Sequence, residues 1–191
     1  MNYNKEPYPI DLQELLIKAN NIATILTQKL NDDDCLTLSD LYKVKSGKTY
    51  RKTELWNTLG YGPSPDTKNV NEGKTKNEFK GVYVFAELNN DKVNPIYVGI
   101  SRTIYRRLRQ HGWGKKHNEC SLAYLMAKKD NVAISRANIH KNFDEELIRK
   151  KEEVKSFKVA LFPIKNDYEL YFIEVALAGI LKTKWNSFRT H

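Results

Sequence analysis

The chain has 191 residues, 40% hydrophobic and 29% charged, the balance of one globular domain or of one domain with a smaller appendage. No apolar run approaches the roughly 20 residues that span a bilayer, and MNYNKEPYPIDL lacks the apolar stretch of a secretory signal. Cys35 and Cys120 stand far apart without partner spacing, which argues against a disulfide framework or a zinc cluster and leaves a cytoplasmic protein with reduced thiols as the expectation. The net charge of +9 is unevenly spread: residues 1–79 hold 11 basic and 11 acidic side chains, and residues 80–191 hold 21 and 12. A basic region joined to a neutral one is the electrostatic footprint of a polyanion binder, with nucleic acid the commonest partner and a plain solvated surface the alternative.

Residues 11–30, DLQELLIKANNIATILTQKL, set Leu12, Leu15, Leu16, Ile22, Ile25 and Leu26 at helical intervals, with acids early and Lys29 late. This predicts an amphipathic helix. Asp32-Asp33-Asp34 ends it, and without flanking ligand spacing the three acids read as a solvated loop rather than a metal site. In residues 37–58, Thr37 or Ser39 is placed to cap a short helix from Asp40 to Val44, and Thr53 to cap another ending before Gly60. Ser46-Gly47-Lys48-Thr49 has the look of a phosphate-loop end, but that loop needs a glycine at position 42, which is Tyr. Lys43, Lys45, Lys48, Arg51 and Lys52, with Tyr42, Tyr50 and Trp56 interleaved, fit either a contact with a nucleic-acid backbone or a solvated turn whose aromatics fill a small core. Residues 60–79 concentrate Gly, Pro, Asn, Lys and Thr and read as a linker or long surface loop. The expected division is a helical N-terminal region (1–60), a linker (61–79) and a main domain (80–191).

Residues 80–111 carry the chemistry. Gly81 to Leu88 and Ile96 to Ile100 are rich in Val, Ile, Phe and Tyr, as strands are, and Asn89-Asn90-Asp91 between them is turn chemistry. Ile104 and Leu108 then fall at helical spacing, with Arg107 and His111 at the same i, i+4 interval. Side chains alternate along a strand, so Tyr83 shares a face with Gly81, and Tyr97 with Gly99. The outcome is a polar cluster of two tyrosines, an arginine and a histidine on an apolar scaffold.

Gly112 to Asn118, GWGKKHN, reads as a basic glycine-rich loop, and Ser121 to Ala127 as a helix that Ser121 caps. Residues 142–155 form a charged surface helix with Phe143, Leu147, Ile148 and Val154 on one side. Residues 157–163 alternate as a third strand. Residues 167–181 form an almost wholly apolar helix, capped by Asn166 or Asp167 and interrupted by Glu169 and Glu174. A carboxylate among Ile173, Val175, Ala176 and Leu177 costs free energy unless a charge partner or a metal meets it. His117, Cys120 and His140 lack zinc-ligand spacing, and Arg189 and His191 in SFRTH reach the cluster only by folding back.

Gly81-Val82-Tyr83, Tyr97-Val98-Gly99, Arg107, His111, Glu174 and Asn186, in that order, resemble the GIY-YIG nuclease superfamily over about residues 80–191. The resemblance implies an α+β fold: a small three-stranded antiparallel sheet flanked by helices, here with a helical N-terminal region. It implies one-metal phosphodiester hydrolysis with Mg²⁺ or Mn²⁺. Tyr83 would activate or position the water, Tyr97 would stand beside it, and Arg107 would hold the scissile phosphate. Glu174 would bind the metal, His111 would assist the tyrosine or touch phosphate, and Gly81, Gly99 and Asn186 would be structural. Arg102, Arg106, Arg109, Lys115 and Lys116 are candidate contacts to DNA, with RNA not excluded and oligomeric state undetermined.

These residue types suit the chemistry. Arginine stays charged and its fork matches phosphate oxygens, a carboxylate with waters suits Mg²⁺, and a tyrosine base needs its pKa lowered from near 10. The rival expectations are a catalytically inactive nucleic-acid-binding module of the same fold, and a protein that uses its basic surface for protein partners.

Overall fold

β-Branched and aromatic residues without a break from Val82 to Phe85 favour a strand covered on both faces, and the fold is built around that strand. The computed structural model describes residues 11–61, 78–116, 118–130, 139–186 and 188, with the backbone alone at 130 and 139–142. β3 (Gly81–Asn89) is the centre of a three-stranded antiparallel sheet, between β4 (Lys92–Ser101) and β5 (Lys158–Pro163). Asn90 and Asp91 both take positive φ, +49° and +60°, which is the tight two-residue turn that Asn and Asp tolerate. Register slips between Phe85 and Ala86, so Ile96 bulges from β4 while Tyr97 stays opposite Phe85 and Gly99 opposite Tyr83.

Both faces of the sheet are covered. On one, Val82, Val84, Ala86, Val98 and Ala160 pack against α1 (Leu12–Asn31) and α6 (Asp167–Ile180). On the other, Tyr83, Phe85, Val159 and Leu161 pack against α3 (Ile104–Trp113), α4 (Ser121–Asp130) and α5 (Ile139–Ser156). Leu38, Leu41, Tyr42 and Trp56 join that second core, so the N-terminal 60 residues contribute to both cores. The expected linker falls almost wholly at 62–77, outside the described residues.

Four local expectations are corrected. Asp40 to Val44 is not helical: β1 (Tyr42–Lys45) and β2 (Lys48–Arg51) form a hairpin. Ser46 and Gly47 at φ +50° and +72° make its turn, and Asp40 instead accepts from Thr37 N (2.8 Å) and Oγ1 (2.6 Å). Thr53 is the first residue of α2 (Thr53–Thr58) rather than its cap, and Lys52 stands at the cap without a side-chain bond. Gly112 and Trp113 belong to α3, where a Cβ on Gly112 would crowd Lys155 of α5. α1 buries Leu15, Ala19, Ile22, Ala23, Leu26 and Leu30 and leaves Leu12, Leu16 and Ile25 exposed. Ala19 and Ala23 share that buried stripe with Leu15, Ile22, Leu26 and Leu30, and their small side chains allow a close approach of the helix to its neighbours.

The outer edge of β4 is fastened from the C-terminal segment. Asn186 Oδ1 accepts from Val98 N and its Nδ2 donates to Val98 O, both at 2.8 Å, while Thr183 Oγ1 holds Oδ1 at 2.8 Å. The side chain thus imitates a strand partner for this edge, beside the Trp185 N–H that donates to the Ile96 carbonyl at 3.0 Å. Asn186→Ala removes these bonds and is expected to lower unfolding stability by about 2 kcal/mol in urea titration. A loss of under about 0.5 kcal/mol would show that water replaces the amide there.

Candidate active site

The site begins with a side chain that is absent. Gly99 stands opposite Tyr83 across the β3–β4 ladder, and a Cβ on Gly99 would overlap the Tyr83 hydroxyl and ring. The missing side chain lets the phenol lie across β4, where its Oη sits 2.7 Å from His111 Nε2. His111 is wholly buried and surrounded by Tyr83, Phe85 and Tyr97, with ring centroids 5.2–5.7 Å from its own. Its Nδ1 has no hydrogen-bond partner among the described residues. Whichever tautomer holds, one polar ring atom is buried uncompensated, at a cost of about 1–3 kcal/mol.

Burial first, and then the charge of Arg107, hold the imidazole well below its usual pKa, so His111 is neutral. Burial and the neighbouring Tyr97 push the Tyr83 phenol well above its ordinary value, and Arg107 opposes that only in part. The resting pair is therefore a protonated phenol against a neutral imidazole. The lowering that a tyrosine base needs is supplied by Arg107 in direction only, because desolvation outweighs it.

α3 supplies both Arg107 and His111, and its start is fixed from outside the helix. Thr103 at the cap position makes no side-chain bond to the helix N–H groups. Instead the buried Glu78 accepts from Tyr105 N (2.9 Å) and Arg106 N (3.1 Å), a carboxylate at the positive end of the helix. Burial raises the pKa of Glu78 against those two bonds and the charges of Arg51 and Arg106. Arg107 is anchored by Nη1 to the carbonyls of Asn118 and Glu119, both 3.0 Å, and by Nη2 to Ser121 Oγ, 2.7 Å. Burial disfavours its charge, but Tyr83 and Tyr97 outweigh this and its pKa lies above the usual value.

Glu174 comes from α6, which covers the other face of the sheet, and interacts electrostatically with both Arg107 and Tyr83. Half-burial raises its pKa, and Arg107 opposes the rise. No hydrogen bond or ion pair holds the carboxylate among the described residues, where no three His, Cys, Asp or Glu side chains gather either. A lone half-buried carboxylate suits Mg²⁺ or Mn²⁺, which keeps most of its waters. It does not suit a zinc site. Cys120 is buried and free, its thiol directed to Lys116 O at 3.2 Å, and His117, the His140 side chain, Arg189 and His191 lie outside the described residues.

The structure thus gathers Tyr83, Tyr97, Arg107, His111 and Glu174. Other sequence candidates lie elsewhere. A Cβ on Gly81 would collide with the Phe162 carbonyl, so that glycine serves the β3–β5 approach. Arg102 pairs with Asp167, which also accepts from the buried Lys80 at 2.9 Å. The Asp167 carboxyl is held below its usual pKa because those two cations outweigh its partial burial. Arg106, Arg109 and Lys115 line a separate groove, and the backbone N–H groups of Lys115 and Lys116 donate to Glu119. Sequence reading missed Glu78, Ser121 and Phe85. Ser121 was read only as a helix cap, and Glu78 lies too far upstream of α3 for any capping pattern to reveal.

A family model for the GIY-YIG catalytic domain matches residues 79–175. No curated protein and no solved structure matches the chain.

The buried His111 carries a pH signature. An unfolded histidine has a pKa near 6.5, and the folded value is lower, so below about pH 6.5 the unfolded chain binds the extra proton. The stability kept by a neutral His111 is complete above that pH and is lost as pH falls toward the folded pKa, by up to about 1.4 kcal/mol per pH unit. Glu174, whose pKa is raised, has the opposite sign and acts only nearer the carboxylate range. Urea titrations at pH 7.5 and 5.5 are expected to show a larger acid loss for wild type than for His111→Gln. Equal losses would mean that His111 titrates as if solvated.

Proposed function

Because the chain belongs to the GIY-YIG family, whose catalytic-domain model spans residues 79–175 of its 191, we propose that it is a metal-dependent endonuclease hydrolysing DNA phosphodiester bonds. The observation that carries this reading is the Tyr83–His111 hydrogen bond with the Arg107 guanidinium beside it. A protonated phenol cannot take a proton from water unless it gives up its own. The neutral imidazole 2.7 Å away is the acceptor for that proton. As water attacks phosphorus, its proton passes to Tyr83 Oη and the phenolic proton passes to His111 Nε2, so no free tyrosinate forms in the apolar cage.

Both pKa shifts oppose this transfer in the free protein. An incoming phosphate makes His111 a better acceptor, because an anion against Arg107 offsets the charge that adds to burial in holding His111 neutral. The three anchors on Arg107 do not exhaust the donors of a guanidinium, so the side chain is preorganised and still able to bind phosphoryl oxygens. Tyr97, half-buried against His111, would offer a second hydroxyl to the water or phosphate. A divalent ion on Glu174 would supply Lewis-acid stabilisation of the phosphoryl oxygens and lower the pKa of a bound water.

Supercoiled plasmid incubated with wild type and Mg²⁺ or Mn²⁺ is expected to become nicked, and chelator should stop the reaction. Tyr83→Phe, Arg107→Ala and Glu174→Ala are each expected to slow it by about 100-fold or more. Wild-type rates from Glu174→Ala would remove the metal role. An inert wild type that still binds DNA would establish the inactive binding module instead.

A further inference from the structure

The β1–β2 hairpin lies outside the matched catalytic segment and is mounted rigidly on it. Tyr42 Oη donates to the Tyr105 carbonyl at 2.5 Å, and the Arg51 guanidinium stacks 4.1 Å from the Tyr105 ring centre, so one face of the hairpin is pinned to α3. Cross-strand partners share a face, and the pairs Lys43↔Tyr50 and Lys45↔Lys48 therefore set three lysines and a tyrosine together on the other. All four are exposed. Lys45 directly opposite Lys48 is a like-charge pair, which destabilises a hairpin, and no acid occurs between Lys43 and Lys52 to relieve it.

A groove of about 500 Å³ separates Gly47–Tyr50 of this hairpin from Arg106, Arg109, Gln110 and Lys115. Its one acidic lining residue, Glu119, is occupied by the backbone N–H groups of Lys115 and Lys116. The groove also borders the catalytic cluster, since Arg106 and Gln110 of α3 flank Arg107, and Arg107 bonds to the Glu119 carbonyl. Of the three hairpin lysines Lys48 lines this groove, and Lys43 and Lys45 continue the positive charge along the same face of the hairpin. Together with Arg106, Arg109 and Lys115 they suit a polyanion with regularly spaced charges.

We propose that the hairpin and the outer row of α3 form a phosphate-backbone groove that grips duplex DNA beside the scissile phosphate. The proposal rests on the nucleic-acid reading above and adds a binding surface to it. Lysines contact phosphates without a directional fork, so the groove would contribute affinity rather than sequence choice.

The test is binding of full-length protein to a fluorescent 30-base-pair duplex at several salt concentrations, with cleavage measured in parallel. Lys43→Gln/Lys45→Gln/Lys48→Gln is expected to weaken binding by about tenfold or more near 50 mM salt, and to lower the slope of log affinity on log salt by about 3. The matching triple Arg variant should keep the slope, as should Lys92→Gln/Lys165→Gln, whose lysines lie neither on the hairpin nor in the groove. Thermal unfolding checks that each variant is folded. If wild type binds and cuts while the Gln triple keeps its affinity and slope, the groove is wrong and the nuclease reading stands. If wild type never cuts but the Gln triple loses slope, the groove stands and the activity falls. A wild type without salt-dependent DNA affinity overturns both.

Discussion

The contact between the Tyr83 phenol, the bare face of Gly99 and the buried His111 is the constraint on which the site depends. It couples three elements at once. β3 supplies the ring, β4 supplies the space for it, and α3 supplies the imidazole that receives its hydroxyl. Register decides the outcome: with a one-residue slip Tyr83 would meet a side chain, and its own would turn to the opposite face. The bulge at Ile96 lies just before this pair, so the strand bends there while Tyr97 and Gly99 keep their places against Phe85 and Tyr83.

Around that contact the electrostatics are poised rather than relaxed. Desolvation holds Tyr83 protonated and His111 neutral, and leaves Glu174 a carboxylate without a bonded partner among the described residues. Arg107 touches all three balances: it favours ionised Tyr83 and Glu174 and disfavours protonated His111. It is held in place by two carbonyls and a serine rather than by a carboxylate, which keeps its charge available. Such an arrangement spends stability where an anionic ligand would recover it.

The N-terminal region braces this machinery. α1 closes one face of the sheet beside α6, and the β1–β2 hairpin is bolted to α3 through Tyr42 and Arg51. Glu78 then fixes the start of α3 through two backbone N–H groups. The hairpin and Glu78 contacts both reach the helix that carries Arg107 and His111. Among the described residues no helix is long and apolar enough to cross a membrane.

The sequence by itself determined the strand–turn–strand–helix order from Gly81 to His111, because period, β-propensity and the Asn90-Asp91 turn are local and agree with one another. It also placed β5 and α6, whose patterns run long enough to be unambiguous. It failed where a short segment carried two local signals. Asp40 to Val44 looked like a capped helix, yet the Ser46-Gly47 turn and pairing with β2 prevailed. Gly112 looked like a loop residue, yet close packing on α5 keeps it in a helix. Four matters were left to the tertiary structure: that Tyr83 Oη meets His111, that Glu78 caps α3, that Asp167 holds Arg102, and that the basic hairpin faces Arg106 and Arg109. Those contacts join residues distant in the chain, and burial, which sets the pKa directions of Tyr83, His111 and Glu174, exists only once the chain has closed around them.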